Sequence, residues 1–259
     1  MHRRRRRWLL IAACTWLLGA GCRGDGTQSP PETPPATPDP GAAPEPTPKP
    51  TPKPTPADAS SSYMGRELAK TMSHLGAGWL TRPERDAEEN TRAMHGQLGL
   101  RPGDVACDLG AGNGYHTERM AAAVGPKGKV IAVDLQPEMI ALLRARMAEV
   151  GVENFETVLA DATDPHLPPD TCDLALLVDV YHELSDPAAV LGHLRRALTK
   201  RGRIALLEFR GEDPDVPIKA LHKMTKAQIL REYEANGLTL VSEYDGLPWQ
   251  HLMFFAPSP

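Results

Sequence analysis

The 259-residue chain has only four cysteines, Cys14, Cys22, Cys107 and Cys172, and none of them forms a C-x-x-C pair. That absence excludes a zinc knuckle and a thioredoxin-like redox motif. Cys107 and Cys172, in or beside apolar strands, read as small buried thiols. A basic excess is missing too. Residues 63–259 carry 21 Lys and Arg against 28 Asp and Glu, which argues against a nucleic-acid partner, whose phosphates call for a basic face. Between residues 30 and 56 large apolar side chains run out while 13 of the 26 prolines gather. No packed core is expected there, because proline donates no backbone hydrogen bond and little is available to bury.

The apolar run Trp8–Ala20 falls short of the ~20 residues that cross a bilayer. With Arg3–Arg7 before it and Gly19-Ala20-Gly21-Cys22 behind, residues 1–22 are expected to be an export signal. They resemble a bacterial lipoprotein signal, in which the cysteine is lipidated, although Gly19 stands where that pattern has leucine. The arginines before Trp8-Leu9-Leu10 also loosely resemble a twin-arginine signal. Residues 23–62 read as a disordered Pro-rich tether, extending about 3.1 Å per residue where polyproline II forms. The expectation is a membrane-anchored lipoprotein exported to the periplasmic or outer-membrane face, touching the membrane only through its N-terminal lipid. A cytoplasmic protein is the alternative.

From Tyr63 onward strands alternate with helices. Met64–Leu100 reads as a helical lead-in broken near Pro83. Strands are expected at Val105–Leu109, Val130–Val133, Phe155–Ala160, Leu174–Val178 and Ile204–Phe209, then at Leu238–Tyr244 and His251–Ala256. Helices are expected at Tyr115–Val124, Glu138–Val150, Pro187–Leu198 and Lys226–Ala235. The alternation implies an α/β fold, a Rossmann-like doubly wound sheet of about seven strands. It is mostly parallel, with one antiparallel strand near the C-terminus.

The first strand runs into Asp108-Leu109-Gly110-Ala111-Gly112-Asn113-Gly114-Tyr115. Glycines at every second position let the backbone turn sharply and let a ligand lie against it, ahead of a helix start with free N–H groups. A dinucleotide fingerprint would need glycine where Tyr115 stands. Asp134 ends the second strand, where an acid can chelate ribose hydroxyls. Asp161-Ala162 end the third and Asp179 the fourth. The D-x-G-x-G-x-G segment resembles motif I of class I methyltransferases. The resemblance spans residues 63–259 and is nearest the small-molecule type related to ubiquinone/menaquinone C-methyltransferases. The stretches VDVYHE, EDPDVPIKALHKMT and LPWQH resemble a subgroup of secreted or lipoprotein-like members. It implies S-adenosylmethionine as cofactor, held by Asp108, Gly110, Gly112, Gly114, Asp134, Asp161, Ala162 and Asp179. The activity it implies is methyl transfer to a small-molecule acceptor. The thiol cluster of arsenite methylation and the N-P-P-[YF] signature of amide and base methylation are absent.

The acceptor must approach from the same carboxyl edge of the sheet. His182 is the first candidate for a general base, with Glu208 or Glu183 to orient it and Lys219 or Lys223 to hold an anionic acceptor. His222 and His251 converge on that edge if the last strand is antiparallel, along with Trp249 and Gln250. His74, His95, His116, His166 and His193 read as structural or solvent-facing. No resident metal is expected. The competing readings are a metal-binding protein or hydrolase built on His182, His222, His251 and Glu208, and a non-catalytic, cofactor-sensing lipoprotein. The sequence leaves the acceptor and the oligomeric state open.

Overall fold

The computed structural model describes residues 62–259. The export signal and all but the last residue of the tether lie outside the described residues. Ten strands follow in chain order: β1 (Ser62–Tyr63), β2 (Arg66–Glu67), β3 (Val105–Leu109), β4 (Lys129–Asp134), β5 (Phe155–Leu159), β6 (Cys172–Val178), β7 (Leu198–Arg210), β8 (Lys223–Met224), β9 (Leu238–Tyr244) and β10 (Gln250–Pro257). The helices are α1 (Arg85–Glu89), α2 (Thr91–Gln97), α3 (Tyr115–Val124), α4 (Pro137–Val150), α5 (Pro187–Ala197) and α6 (Lys226–Ala235).

The inner strands read as near-continuous apolar runs because they are covered on both faces. Their alternate side chains feed two cores. Cys107, Ile131, Ala175 and Leu206 pack toward Leu191 and Leu194 of α5 and Ile229 and Tyr233 of α6. Ala106, Val130, Leu176 and Ala205 pack toward Met94 of α2 and Met120 and Val124 of α3. Local signals set the helix ends. Asp186 accepts a bond from Ala189 N ahead of Pro187 in α5, and Thr225 caps α6 through Gln228 N.

The large sheet runs β5-β4-β3-β6-β7-β10-β9, with two-residue β8 added beside the end of β7. Pairs among β5, β4, β3, β6 and β7 are parallel, and β10 is antiparallel to both neighbours. This is the expected doubly wound sheet of seven main strands with one antiparallel member. The chain winds outward from β3 through β5 and then returns to β6 on the other side of β3. The loops leaving β3 and β6 therefore diverge and open a crevice at the carboxyl edge, the usual ligand position in such sheets.

Two expectations are corrected. The lead-in is not one broken helix. It forms the β1–β2 hairpin, a 3-10 helix over His74–Thr81, and then α1 and α2. Gly76 and Gly78 weaken a longer α-helix. Asn90, at φ 51°, separates α1 from α2 while its side chain caps Ala93 N. The second correction concerns the thiols. Cys107 and Cys172 are joined in a disulfide, their Cα atoms 5.8 Å apart. The winding makes β6 the neighbour of β3, and a register shift between Cys172 and Leu174 lies at the start of β6. Among the described residues no helix is long and apolar enough to cross a membrane.

Candidate active site

A cavity of ≈ 480 Å³ opens at the carboxyl edge of the sheet. One wall is built largely from backbone. Gly110, Gly112 and Gly114 have φ of 69°, 54° and 84°, a left-handed region that favours glycine. The first two line the cavity. A Cβ on Gly110 would lie 2.4 Å from Val180 Cγ2, and one on Gly112 would lie 2.7 Å from Leu80 Cδ1. Gly114 does other work. It begins α3, and a Cβ there would come 2.9 Å from Leu143 Cγ of α4, so its role is close helix packing.

The strand-end acids surround this loop. Asp134 Oδ2 accepts from Gly112 N at 2.8 Å and Oδ1 from Gln136 N at 2.9 Å. Its carboxylate lies on the cavity wall, and burial raises its pKa. Asp161 and Ala162 are on the wall as well, with Asp161 Oδ2 3.1 Å from His166 Nε2. Asp179 adopts φ 53°, and its Oδ2 accepts from Gln250 Nε2 at 2.8 Å. Its Oδ1 is buried without a partner. Burial, with Glu89 and Glu208 nearby, holds its pKa well above the ordinary carboxylate range. Asp108 is buried and accepts from Thr117 Oγ1 at 2.6 Å, and burial pushes its pKa up to about 6. It is not one of the cavity-wall residues.

Another part of the lining is made of side chains. A 3-10 turn over Tyr181–Glu183 follows β6, and a second over Ala220–His222 precedes β8. His182 is 2% exposed. Glu208 takes it from two sides: Oε1 accepts from His182 N at 3.2 Å, and Oε2 is 2.6 Å from Nδ1. His182 Nε2 is 2.9 Å from His222 Nδ1. Glu183 Oε1 stands 3.8 Å from His182 Nε2 and 3.7 Å from His222 Nδ1. Burial works to lower the His182 pKa, but the Glu208 carboxylate outweighs it and the net direction is upward. Burial, with His182 and Lys219 nearby, lowers His222, whereas burial pushes Glu183 up to about 7. Lys219 completes this side.

Other candidates lie elsewhere. His251 points its Nε2 at Glu212, 2.8 Å away, and is not part of the wall. Lys223 donates to Asp213 O at 3.0 Å and also stays off the wall. Trp249 accepts through its carbonyl from Arg210 N. Glu208 sits behind His182 rather than on the surface. The four-residue metal group of the competing reading is therefore not assembled: His251 and Glu208 are missing from it, and His182, Glu183 and His222 are the residues that converge.

A strap over the crevice gave no sequence signal. Thr71, Met72, Trp79 and Leu80 form part of the wall. Met72 N donates to Glu183 Oε2 at 3.1 Å, and Gln136 Nε2 donates to Met72 O at 2.8 Å. Asn113 Nδ2 donates to Ala77 O, and Ala69 N to His182 O. The strap thus grips both walls at once.

With this geometry in place, comparison with known proteins is informative. A family model for a methyltransferase domain matches residues 100–245. The ubiquinone/menaquinone biosynthesis C-methyltransferase of Ectopseudomonas mendocina is 31% identical over 112 residues, covering 43% of this chain and 44% of that protein. The protein of the same description from a Shewanella species is 28% identical over 162 residues, 58% of this chain and 64% of its own length. Neither match reaches two thirds of the relative. The crystal structure of a SAM-dependent methyltransferase from Aquifex aeolicus shares the fold at a TM-score of 0.68. It is 22% identical, over 71% of this chain and 98% of that one. The family match covers more than half of the chain and includes the glycine loop, its acids and the His182 turn. The chain belongs to the methyltransferase-domain family, the class I S-adenosylmethionine-dependent methyltransferases.

Proposed function

We propose that this protein transfers a methyl group from S-adenosylmethionine to a small-molecule acceptor, and that both occupy the cavity at the carboxyl edge of the sheet. One observation carries the reading: the glycine loop, the acids Asp134, Asp161 and Asp179, and the His182–His222–Glu183 cluster all line the same cavity. The residues fit the cofactor. Gly110 and Gly112 present backbone to the cavity, their lack of a Cβ leaving room for Val180 and Leu80 beside them, and the buried, unpartnered Oδ1 of Asp179 is placed to form a hydrogen bond with a ligand. When bound, the cofactor supplies a methyl group already activated on a sulfonium.

The chain's part is then to hold, orient and deprotonate. Asp134, fixed by two backbone donors, takes the ribose hydroxyls. Met72, Trp79 and Leu80 of the strap exclude water, and exclusion strengthens the polar contacts inside. Positioning supplies much of the rate in such a displacement. The His182–His222 pair, braced by Glu208, draws the proton from the acceptor, and Lys219 attracts an anionic part of it. Titration calorimetry of the whole chain with S-adenosylmethionine tests the reading: one site is expected, weakened at least tenfold by Asp134→Ala through loss of about 1–3 kcal/mol. Incorporation of labelled methyl into small-molecule extracts should vanish in His182→Ala while cofactor affinity stays within a few-fold. Absence of any cofactor heat with the folded wild type would overturn it.

The compartment belongs to the same proposal. Residues 1–22 act as a lipoprotein signal with Cys22 lipidated, and residues 23–62 tether the catalytic domain beyond the membrane. The Cys107–Cys172 disulfide supports export, since such bonds persist in oxidising compartments and are rare in the cytosol. S-adenosylmethionine is made in the cytosol, so the cofactor travels with the folded domain or is imported. Fractionation decides the point. Wild type belongs in membranes and Cys22→Ala is released or left uncleaved, whereas wild type found wholly in the cytosol refutes export.

A further inference from the structure

The acceptor wall holds a second arrangement that methyl transfer alone does not require. His182 Nε2, Glu183 Oε1 and His222 Nδ1 converge so closely that all three atoms lie within 4.8 Å of one another. The pairwise separations are 2.9, 3.7 and 3.8 Å. Ligands bonded to one ion at about 2.0–2.2 Å stand roughly 3–3.5 Å apart, so the three atoms need to move only a few tenths of an ångström to share one. Two imidazoles and a carboxylate on one side, with open cavity on the other, is the donor set of a divalent first-row metal with free positions.

We propose that His182, Glu183 and His222 bind one divalent transition-metal ion, with zinc the best match to two nitrogens and one oxygen, and that the ion holds the methyl acceptor by an oxygen donor. The inference rests on the methyltransferase reading and adds to it the chemical class of the acceptor. The buried Glu208 carries the strongest support. Its carboxylate is 2.6 Å from His182 Nδ1, and it accounts for the orientation that turns Nε2 toward the cavity. A carboxylate behind a histidine, fixing ring and tautomer, is the common outer partner of a zinc ligand. Met72 N does the same for Glu183, bonding Oε2 at 3.1 Å and leaving Oε1 to face the two rings. His182 and Glu183 are therefore each held from behind.

Three protein ligands leave room for oxygens from an acceptor. A hydroxyl beside a second oxygen, as in a vicinal diol or a hydroxy-carbonyl compound, fills two positions. With the ion bound, His182 and His222 serve as ligands instead of as the base, and the acceptor hydroxyl gives its proton to water near neutral pH. Lys219, on the same wall, adds a positive charge on that side. The surface group of Asp161, Asp164, His166 and His193 provides an internal control. His166 approaches Asp161 and Asp164, and His193 approaches Asp164, but the group is exposed and no buried carboxylate braces it.

The test uses untagged full-length protein stripped with a chelator. Zinc titration followed by calorimetry, and cobalt loading followed by visible absorption, should each report one equivalent. Elemental analysis of untreated protein should find a stoichiometric metal. His222→Ala, at a partly exposed turn, should weaken zinc at least a hundredfold and Glu208→Gln about 10–100-fold, both with S-adenosylmethionine affinity within a few-fold of wild type. His166→Ala should leave zinc affinity unchanged. No saturable metal binding by folded wild type overturns the proposal, as does binding that survives His222→Ala or is lost in His166→Ala. Cofactor binding is read separately, so a failed metal titration with intact cofactor binding rejects the ion and leaves the methyltransferase reading standing.

Discussion

The two walls of the cavity are made by different means. The glycine loop and its first acid form the more local part: Gly112 and Asp134 are 22 residues apart, and their contact uses a backbone N–H. The acceptor wall is assembled from afar. His182 meets Glu208 across 26 residues, His222 across 40, and its neighbour Glu183 meets Met72 across 111. A wall of backbone tolerates changes of side chain but not an added Cβ, whereas a wall of side chains can be re-equipped for a new acceptor with the sheet untouched. Binding the common reagent and choosing the particular substrate are thus entrusted to separate parts of the chain.

The comparison breaks most sharply at Gly110, where the walls touch. At φ 69° any side chain is strained, and a Cβ would meet both methyl groups of Val180, which leads into the acceptor turn. Gly110→Ala should lose about 2–5 kcal/mol, from the left-handed backbone and forced packing together, and with it cofactor binding. Gly112→Ala, whose Cβ meets only the tip of Leu80, should lose less stability. Chemical denaturation of both variants checks the ranking. If Gly110→Ala matches wild type, the backbone wall is not the constraint described here.

A smaller effect is expected at the covalent link between β3 and β6. Cys172→Ser should cost about 2–4 kcal/mol under oxidising conditions. A reducing agent should bring wild type down toward the variant. Equal unfolding midpoints with and without reductant would show that the bond adds nothing.

The smallest effect sharpens the electrostatic side. Asp108 titrates at about 6 in the folded protein against an ordinary 3.8. Below about 6 the native state binds a proton that the unfolded chain does not take up until about 3.8. Wild-type stability should therefore rise as pH falls through that window, by on the order of 1–3 kcal/mol. Asp108→Asn keeps an acceptor for Thr117 and should flatten that rise, giving a variant more stable than wild type near pH 7. Denaturation midpoints between pH 4 and 7.5 measure it, and parallel pH profiles would rule out Asp108 as the source.

What could be read from sequence follows the same division. β3, α3, α6 and β9 fall where apolar periodicity and caps place them, because each is decided within its own residues. The glycine loop and Asp134 were legible for that reason too. Strand order was not, and so the bond between Cys107 and Cys172, 65 residues apart, escaped a reading based on spacing. His251 looked like a member of the cluster because an antiparallel last strand would begin on that edge, and β10 does bring it opposite Glu208. Only side-chain direction reveals that it serves Glu212. The strap gave no warning at all: short 3-10 and hairpin pieces carry no period, and its hold on Gln136, Asn113 and Glu183 exists only once the sheet has formed.

The Cys107–Cys172 bond also changes what a broken chain means for this molecule. It turns everything from the middle of β3 to the start of β6 into a ring, and the glycine loop, Asp134 and Asp161 are all inside it. The exposed stretch between β5 and β6 is the natural place for a protease to cut. One cut there severs the backbone but yields no fragment, because both ends stay attached through sulfur. The glycine loop and its acids thereby stay attached to the rest of the chain through a backbone cut, for as long as their surroundings keep the two sulfurs joined.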